Sequence, residues 1–376
     1  WLKHRVIPFE AYEPGYGAST RNAGYVGRTL KHGFGELIEN HGLGFATRIY
    51  GELMEAFLSV KDIVERENIQ CHYRQQGRLL LATTPAMYDA LAREFALRAR
   101  HLGEPFTMVS RSEQPSEIAT GHYFGGARID DHAGLHPGLY HQGILDAARR
   151  AGVAIASWTP VMRIARSGDR FVLGVPGASV TARDVIVATN GHSGEAMPWL
   201  KHRVIPFEAY QTVSEELDAE RVRELLPGDR TCIDWNFNVD WVRRAPGDPA
   251  RIIFGGLTGG RNQNLRKMGE RLHRRLLRIF PQLTHLRFDH VWTGKCAGTF
   301  DLFPHIGSHE GIHYAVGYCF AGVPMGTLFG RKLASRILGV KGGDSAFDRP
   351  MPSNPFYWSN PWFVPYAIGW LSRHDA

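Results

Sequence analysis

Three stretches carry residue types whose spacing could do chemistry. From Gly317 to Gly322 the chain reads GYCFAG, a tight turn that follows an apolar run at Ile312–Val316. Val323, Pro324 and Met325 come next and open a run with apolar residues at Leu328, Phe329, Leu333 and Ile337. The spacing predicts a strand, a glycine-bearing turn and a helix, with Pro324 near the helix start where a missing N–H does no harm. Such a unit presents free backbone N–H groups and a positive dipole end to an anion, either a phosphate or the edge of a ring that becomes negative on reduction. A core βα unit whose glycines only make a close turn fits the same text.

The second stretch is Gly15–Gly24, GYGASTRNAG. Gly17 and Ala18 let a backbone pass close to a ligand. Ser19, Thr20, Arg21 and Asn22 supply hydroxyl, guanidinium and amide donors suited to phosphate and to ring heteroatoms. Without such a ligand the run reads as a loop that opens no helix. The third stretch places Asp234, Asn236, Trp241 and Arg243 on strand-like text running into ARIIFGG. Arg243 could hold a carboxylate with its fork of donors and Trp241 could wall an apolar site, or both could be a half-exposed sheet pair.

The remaining text supplies what must position these groups. Residues 45–68 read as a helix with Leu53, Phe57, Val60 and Val64 on one face, Gly77–Thr83 as a strand, and Pro85–Leu102 as an amphipathic helix. His136-Pro137 opens a helix through Asp146. The histidines His132, His136 and His141 match no metal-ligand spacing, so no metal is expected. Arg261–Arg278 reads as a solvated amphipathic helix with Leu265, Met268, Leu272 and Ile279 as its apolar stripe. Strands alternate through residues 151–194, and Val185–Ala188 ends in Thr189-Asn190-Gly191. The aromatic, Pro-rich PFYWSNPWFVP reads as an irregular strap.

At 376 residues, with 43% hydrophobic and 11% aromatic content, the chain suits two interleaved domains of an ordinary globular protein. No apolar run approaches the roughly 20 residues of a membrane span. Four scattered cysteines without CxxC spacing point to a reducing compartment and a cytoplasmic location. The net charge of +7 meets no nucleic-acid-binding module and instead suits attraction of acidic small molecules.

WTGKCAGTFDLFPHIG and GYCFAGVPMGTLFGRKLA, with G-A-S-x-R-N-x-G at Gly17–Gly24, resemble the flavin-contacting segments of FAD-dependent amine and amino-acid oxidoreductases. That is the D-amino-acid oxidase / sarcosine oxidase superfamily, here in a form similar to its gamma-glutamylputrescine oxidoreductase-like branch. The resemblance implies an α/β fold in which an FAD-binding Rossmann-like domain is interleaved with an antiparallel-sheet substrate domain, of the glutathione-reductase/D-amino-acid-oxidase type. Its FAD-binding parts would be residues 1–70, 134–198 and 302–345, its substrate domain 71–133 and 199–301, and residues 346–376 a strap. FAD would lie over Gly317, Phe320, Gly322, Val323 and Met325, although Phe320-Ala321 stands where relatives usually carry Gly-His. Val161 would meet the adenine, and Thr189, Asn190 and Gly191 would return the chain to the cofactor sheet.

By the same match Glu10 would accept hydrogen bonds from the adenosine ribose, the alternative being a plain surface glutamate. Cys296, three residues before Thr299, keeps the spacing of relatives that bond a cysteine to the flavin. The wider pattern at Trp292, Gly294, Thr299 and Asp301 resembles the branch without that bond, so a buried thiol is expected. The implied activity is oxidation of a C–N bond: an amine or amino acid loses hydride to flavin N5, and oxygen or another acceptor reoxidises the flavin. A cofactor-deficient binding module and an oxidoreductase acting on a hydroxy acid are the alternatives.

Residues 1–12, WLKHRVIPFEAY, recur identically at 199–210, as a duplication or an artefact of cloning or sequence assignment. No G-x-G-x-x-G strand precedes Glu10 in this sequence. The expectation is therefore weak FAD binding or none by the chain as written, a natural version with about 30 more residues upstream, and a first dozen residues that form an isolated strand beside an unfilled gap or are doubtful in sequence.

Overall fold

A computed structural model describes residues 5–259 and 264–374. In chain order its main strands are β1 (Arg78–Leu81), β2 (Thr107–Val109), β3 (Gly126–Ile129), β4 (Val185–Val187), β5 (Ile205–Ser214) and β6 (Thr231–Asp234). They continue with β7 (Trp241–Ala245), β8 (Asp248–Gly259), β9 (Phe288–Gly298), β10 (His305–His309) and β11 (Ile312–Val316). Eight of these form one sheet in the order β9-β5-β8-β7-β6-β1-β3-β2, while β10, β11 and β4 form a second. The β6–β1 and β11–β4 pairs are parallel, and the other pairs are antiparallel.

Alternation along the large sheet decides what faces where. Leu79, Leu81, Cys232, Val242, Phe254 and Tyr210 point outward into a core. The helix Leu265–Ile279 closes that core with Met268, Leu272, Leu276 and Ile279. Leu265, counted in the same stripe from sequence, stays exposed at the helix start, where Asn264 accepts from the Arg266 and Lys267 amides. Residues 260–263, which include the Arg261 expected to open this helix, lie outside the described residues. The opposite sheet face carries Arg78, Leu80, Ile233, Trp241, Ala209 and Gln211, all of which line a cleft.

The helices that bear on the cleft and its supports are, in chain order, α1 (Ala18–Arg21), α2 (Phe34–His41), α3 (Leu43–Arg66), α4 (Pro85–Leu102), α5 (Pro137–Arg150), α6 (Leu265–Ile279), α7 (Gly322–Leu338) and α8 (Val364–Leu371), with two short further helices at Pro198–Lys201 and Ala219–Leu225. Thr84 caps α4 by accepting from the Met87 amide, and Pro85 occupies its first turn. Helices α3 and α7 pack against the smaller sheet through Ile49, Leu53, Leu328, Phe329, Ile306 and Ala315. A buried ion pair, Glu52–Lys332 at 3.1 Å, ties the same two helices.

Three local expectations are corrected. Gly15–Gly24 is not loop throughout: Asn22 Nδ2 donates to the Ala18 and Ser19 carbonyls and closes a single helical turn, α1. Helix α5 runs past Asp146 to Arg150 because Ala147 and Ala148 favour continuation. The C-terminal strap contains a helix, α8, with Pro365 in its first turn.

The repeated dozen residues adopt two structures. At 205–210 they form the start of β5, paired on both sides by β8 and β9. At 5–12 they make one parallel bridge, Phe9 to Ala156, and Glu10 N–H donates to the Ala156 carbonyl. Residues 1–4, included in the expectation for the first dozen, lie outside the described residues. Arg5–Tyr12 and the edge strand β4 line the same cleft.

Candidate flavin cleft

The turn after β11 is held from two sides. Gly317, at φ 77°, donates its N–H to Asn190 Oδ1 at 2.9 Å, which joins the ends of β11 and β4. A Cβ at Gly317 would lie 2.5 Å from Thr299 Cγ2, so only glycine makes this turn without displacement. The Cys319 N–H donates to the Ala297 carbonyl at 3.0 Å. Cys319 (φ 44°) and Phe320 (φ 77°) then occupy the left-handed region, which strains a residue with a side chain. Helix α7 begins at Gly322 without a side-chain cap. The Gly322 and Val323 amides therefore have no intrahelical partner, and both residues line the cleft with Phe320 and Ala321.

The cleft measures about 2930 Å³. It brings together Glu10, Gly17, Ala18, Ser19, Arg21 and Asn22 from the chain start. Val161, Thr189, Asn190, Trp241, Cys296, Phe320, Gly322 and Val323 join them. Five residues singled out in the sequence stand back from it. Thr20 donates its hydroxyl to the Gly15 carbonyl at 2.7 Å. Gly191 packs against the Cys296 carbonyl, Gly317 sits under the turn, and Met325 is fully buried in the α3–α7 core.

Arg243 is the fifth, and its expected grip on a substrate carboxylate is corrected. Its Nη1 donates to the carbonyls of Ala23, Gly24 and Leu135, at 3.1, 3.2 and 3.2 Å, and its Nε donates to that of Arg244. It ties the sheet to the segment after α1. Asn22 is likewise occupied with its own helical turn and accepts from the Gly24 amide at 2.8 Å.

The floor of the cleft joins Trp241 and Phe320, both singled out in the sequence, with Gln211 and Lys31, which local sequence signals did not reveal. Trp241 lies flat enough that a Cβ at Gly255 would be 2.3 Å from its ring, and its indole N–H is buried without an acceptor. Its ring centroid is 6.5 Å from that of Phe320, which also meets Phe207 at 5.3 Å. Gln211 donates to the Arg21 carbonyl while its Oε1 is buried without a donor. Strand parity from Phe207 through Ala209 was the one signal that could have placed Gln211 on this face. Lys31 lies 5.2 Å above the Phe320 ring.

Burial sets the titration of the site. The Tyr25 hydroxyl donates to the Cys232 and Val242 carbonyls, and desolvation raises its pKa beyond the usual range, so it stays neutral. His132 is held neutral by burial and by Arg78, Arg28 and Arg98 around it. Cys296 is only partly buried on the cleft wall, not the buried thiol expected, yet desolvation pushes its thiol up to about 12, which leaves a weak nucleophile. Among the described residues no group of three or more His, Cys, Asp or Glu is arranged to hold a metal. No described helix is long and apolar enough to cross a membrane.

Comparison with known proteins adds the family. Residues 2–336 match the FAD dependent oxidoreductase model. The chain is 27% identical over 368 residues to gamma-glutamylputrescine oxidoreductase of Escherichia coli, covering 96% of this chain and 84% of that protein. Among solved structures it is similar to glycine oxidase from Geobacillus kaustophilus, with a TM-score of 0.77 at 21% identity over 94% and 93% of the two chains. L-proline dehydrogenase from P. horikoshii gives a TM-score of 0.72 at 14% identity over 98% of each chain.

The donor set suits a flavin ring. Unpartnered amides at an uncapped helix start accommodate negative charge at the pyrimidine edge. The buried, unsatisfied Gln211 Oε1 and Trp241 Nε1 are groups that a polar ring could engage. With a matched model over most of its length and a flavin-compatible cleft, the chain belongs to the family of FAD-dependent oxidoreductases, in its D-amino-acid-oxidase-type α/β fold.

Proposed function

We propose that this chain oxidises the C–N bond of an amine or amino acid to an imine, which water then hydrolyses. The observation that carries the reading is the Trp241–Phe320 contact in the cleft wall, where the inner face of the large sheet meets the amide-bearing turn of α7. The relatives' names support it, since one acts on gamma-glutamylputrescine and another on glycine. FAD, when bound, supplies the two-electron acceptor for this oxidation.

The residues of the chain provide position and charge. Trp241 and Phe320, the latter backed by the buried Phe207, form an apolar wall that excludes water and fixes a substrate carbon chain. The Gly322 and Val323 amides with the α7 dipole favour negative charge at the turn without a proton transfer. The substrate nitrogen reacts as the neutral amine, and no cleft side chain is assigned as its base. We assign the flavin-holding role to Gly17, Ala18, Ser19, Arg21 and Asn190 with the turn, and the adenosine end to Glu10 and Val161.

Purified chain supplied with excess FAD and treated anaerobically with amines, amino acids and 2-hydroxy acids tests the reading. Bleaching of the flavin bands by amines or amino acids is the expected result. Bleaching by hydroxy acids alone would replace the C–N reading with a C–O one.

A further inference from the structure

Arg78 is the one guanidinium of a buried cationic group that no acid answers. Three arginines and a neutral histidine, Arg28, Arg78, Arg98 and His132, line the cleft side by side, each at most 6% exposed. Two carboxylates share this space. Arg28 makes a two-pronged contact with Asp131 at 2.8 and 2.9 Å, and its Nε stands 2.8 Å from Glu104 as an ion pair outside hydrogen-bond alignment. Arg98 Nε donates to the other oxygen of Glu104 at 2.8 Å.

That leaves Arg78. Its Nη1 donates to the neutral Thr29 hydroxyl at 2.8 Å, and its guanidinium lies 5.4 Å above the Tyr25 ring. Its Nε is buried without a partner, and among the described residues it makes no ion pair. Burial lowers its pKa to about 10, still far enough above neutrality to keep the charge. A buried, charged, unanswered guanidinium beside two others is costly unless an anion completes the set. The fork geometry of arginine suits a carboxylate.

The sheet register places this charge. Arg78 pairs with Thr231, and Ile233 pairs with Trp241, so Arg78 and Trp241 share the inner face, two strands and two residues apart. Strand spacing makes that roughly 12 Å between α-carbons. We infer that Arg78 is the receptor for a carboxylate on the substrate, several carbons removed from the amine that reacts beside Trp241 and Phe320. The substrate class is thus an ω-amino acid or an amine bearing a distant acid, not a plain amine. The inference rests on the amine-oxidation reading for the reacting end alone.

The test is anaerobic calorimetric titration of the chain loaded with chemically reduced FAD, which can accept no hydride, with 5-aminopentanoate and with pentylamine, which differ only by the acid. Wild type is expected to bind the acid at least tenfold more tightly. Arg78→Met should erase that difference while leaving pentylamine and FAD affinity unchanged, and Arg78→Lys should keep part of it. Equal binding of the two probes by wild type would overturn the assignment even if the methionine variant failed to fold. So would a preference that survives in Arg78→Met, or a loss of FAD affinity, which would make Arg78 a cofactor contact instead. Because binding is read without turnover, an Arg78-dependent preference in a chain that oxidises neither probe would uphold this site and sink only the C–N reading.

Discussion

Trp241 and Phe320 meet in the wall of the cleft with ring centroids 6.5 Å apart and planes inclined at 59°. One belongs to the large sheet and the other to the turn before α7, so this pair marks where the two sheets meet. Phe320 holds its position at φ 77°, a conformation that disfavours any residue with a Cβ. Replacing it with glycine should relieve about 1–2 kcal/mol of strain. The same change removes part of the apolar cleft wall. Phe320→Gly is expected to keep or raise Tm while KM for an amine substrate rises roughly tenfold, a loss of about 1.4 kcal/mol of binding. A fall in Tm with unchanged KM would mean the ring is structural only.

Gly317 should tolerate no side chain. Gly317→Val sets a branched Cβ at positive φ against Thr299 and breaks the geometry in which Asn190 reaches the turn. The expected effect is a loss of about 1–3 kcal/mol in denaturant unfolding and weaker FAD retention on gel filtration. Retention equal to wild type would separate the turn from the cofactor.

Cys296 sits partly exposed on the cleft wall as a neutral thiol. A thiol pushed up to about 12 is almost wholly protonated at neutral pH, so no covalent bond to the flavin is expected. Acid precipitation should leave all colour in the supernatant for wild type and for Cys296→Ser alike. Flavin that stays with the pellet in wild type and leaves it in the serine variant would reverse this assignment.

Asp301 gives the fold an acid limb. Burial by itself would raise its carboxyl, but donors from His305, Thr299 and the Phe303 amide outweigh it and hold the pKa below the ordinary 3.8. A depressed carboxyl stabilises the fold above the unfolded value, and that contribution is lost as pH falls through the folded value. Wild-type stability should therefore drop below about pH 4. Asp301→Asn should lose about 1–2 kcal/mol at neutral pH and show a shallower acid limb in urea titrations across that range.

Lys332 and Glu52 join α7 to α3 with both side chains only about 6% exposed. Lys332→Met leaves Glu52 charged and buried, although Ser345 and the Ala346 amide still donate to it. A loss of about 3–5 kcal/mol is expected, with partial recovery in Lys332→Met/Glu52→Gln. Equal stability of the single and double variants would show that the pair is not the tie.

The elements around the cleft were legible where the signal is local. Ile312–Val316 and Pro85–Leu102 have their strand and helix bounds in the sequence because apolar period, proline and capping threonine agree there. Arg243 shows the limit. Its type and strand position suit a carboxylate, yet its partners are carbonyls of residues 23, 24 and 135, which no local pattern announces. Arg78 escaped notice for the converse reason, because its significance lies in the acid it lacks after Arg28 and Arg98 have taken theirs. The repeated RVIPFEAY makes the point within one chain: identical residues form a doubly paired strand at 205–210 and a single bridge at Phe9. Strand formation depends on available neighbours more than on intrinsic preference.

The central claim is that a flavin held over the Gly317–Gly322 turn accepts electrons from a C–N bond beside Trp241. Anaerobic titration of the FAD-supplied chain with an amino-acid or amine substrate, followed by absorption spectroscopy and by trapping of the carbonyl product, tests it most directly. The account predicts stoichiometric loss of the flavin bands with one aldehyde or keto acid formed per flavin, abolished in Gly317→Val. Flavin bands that persist under every amine and amino acid, or that bleach equally in the Gly317 variant, would contradict it.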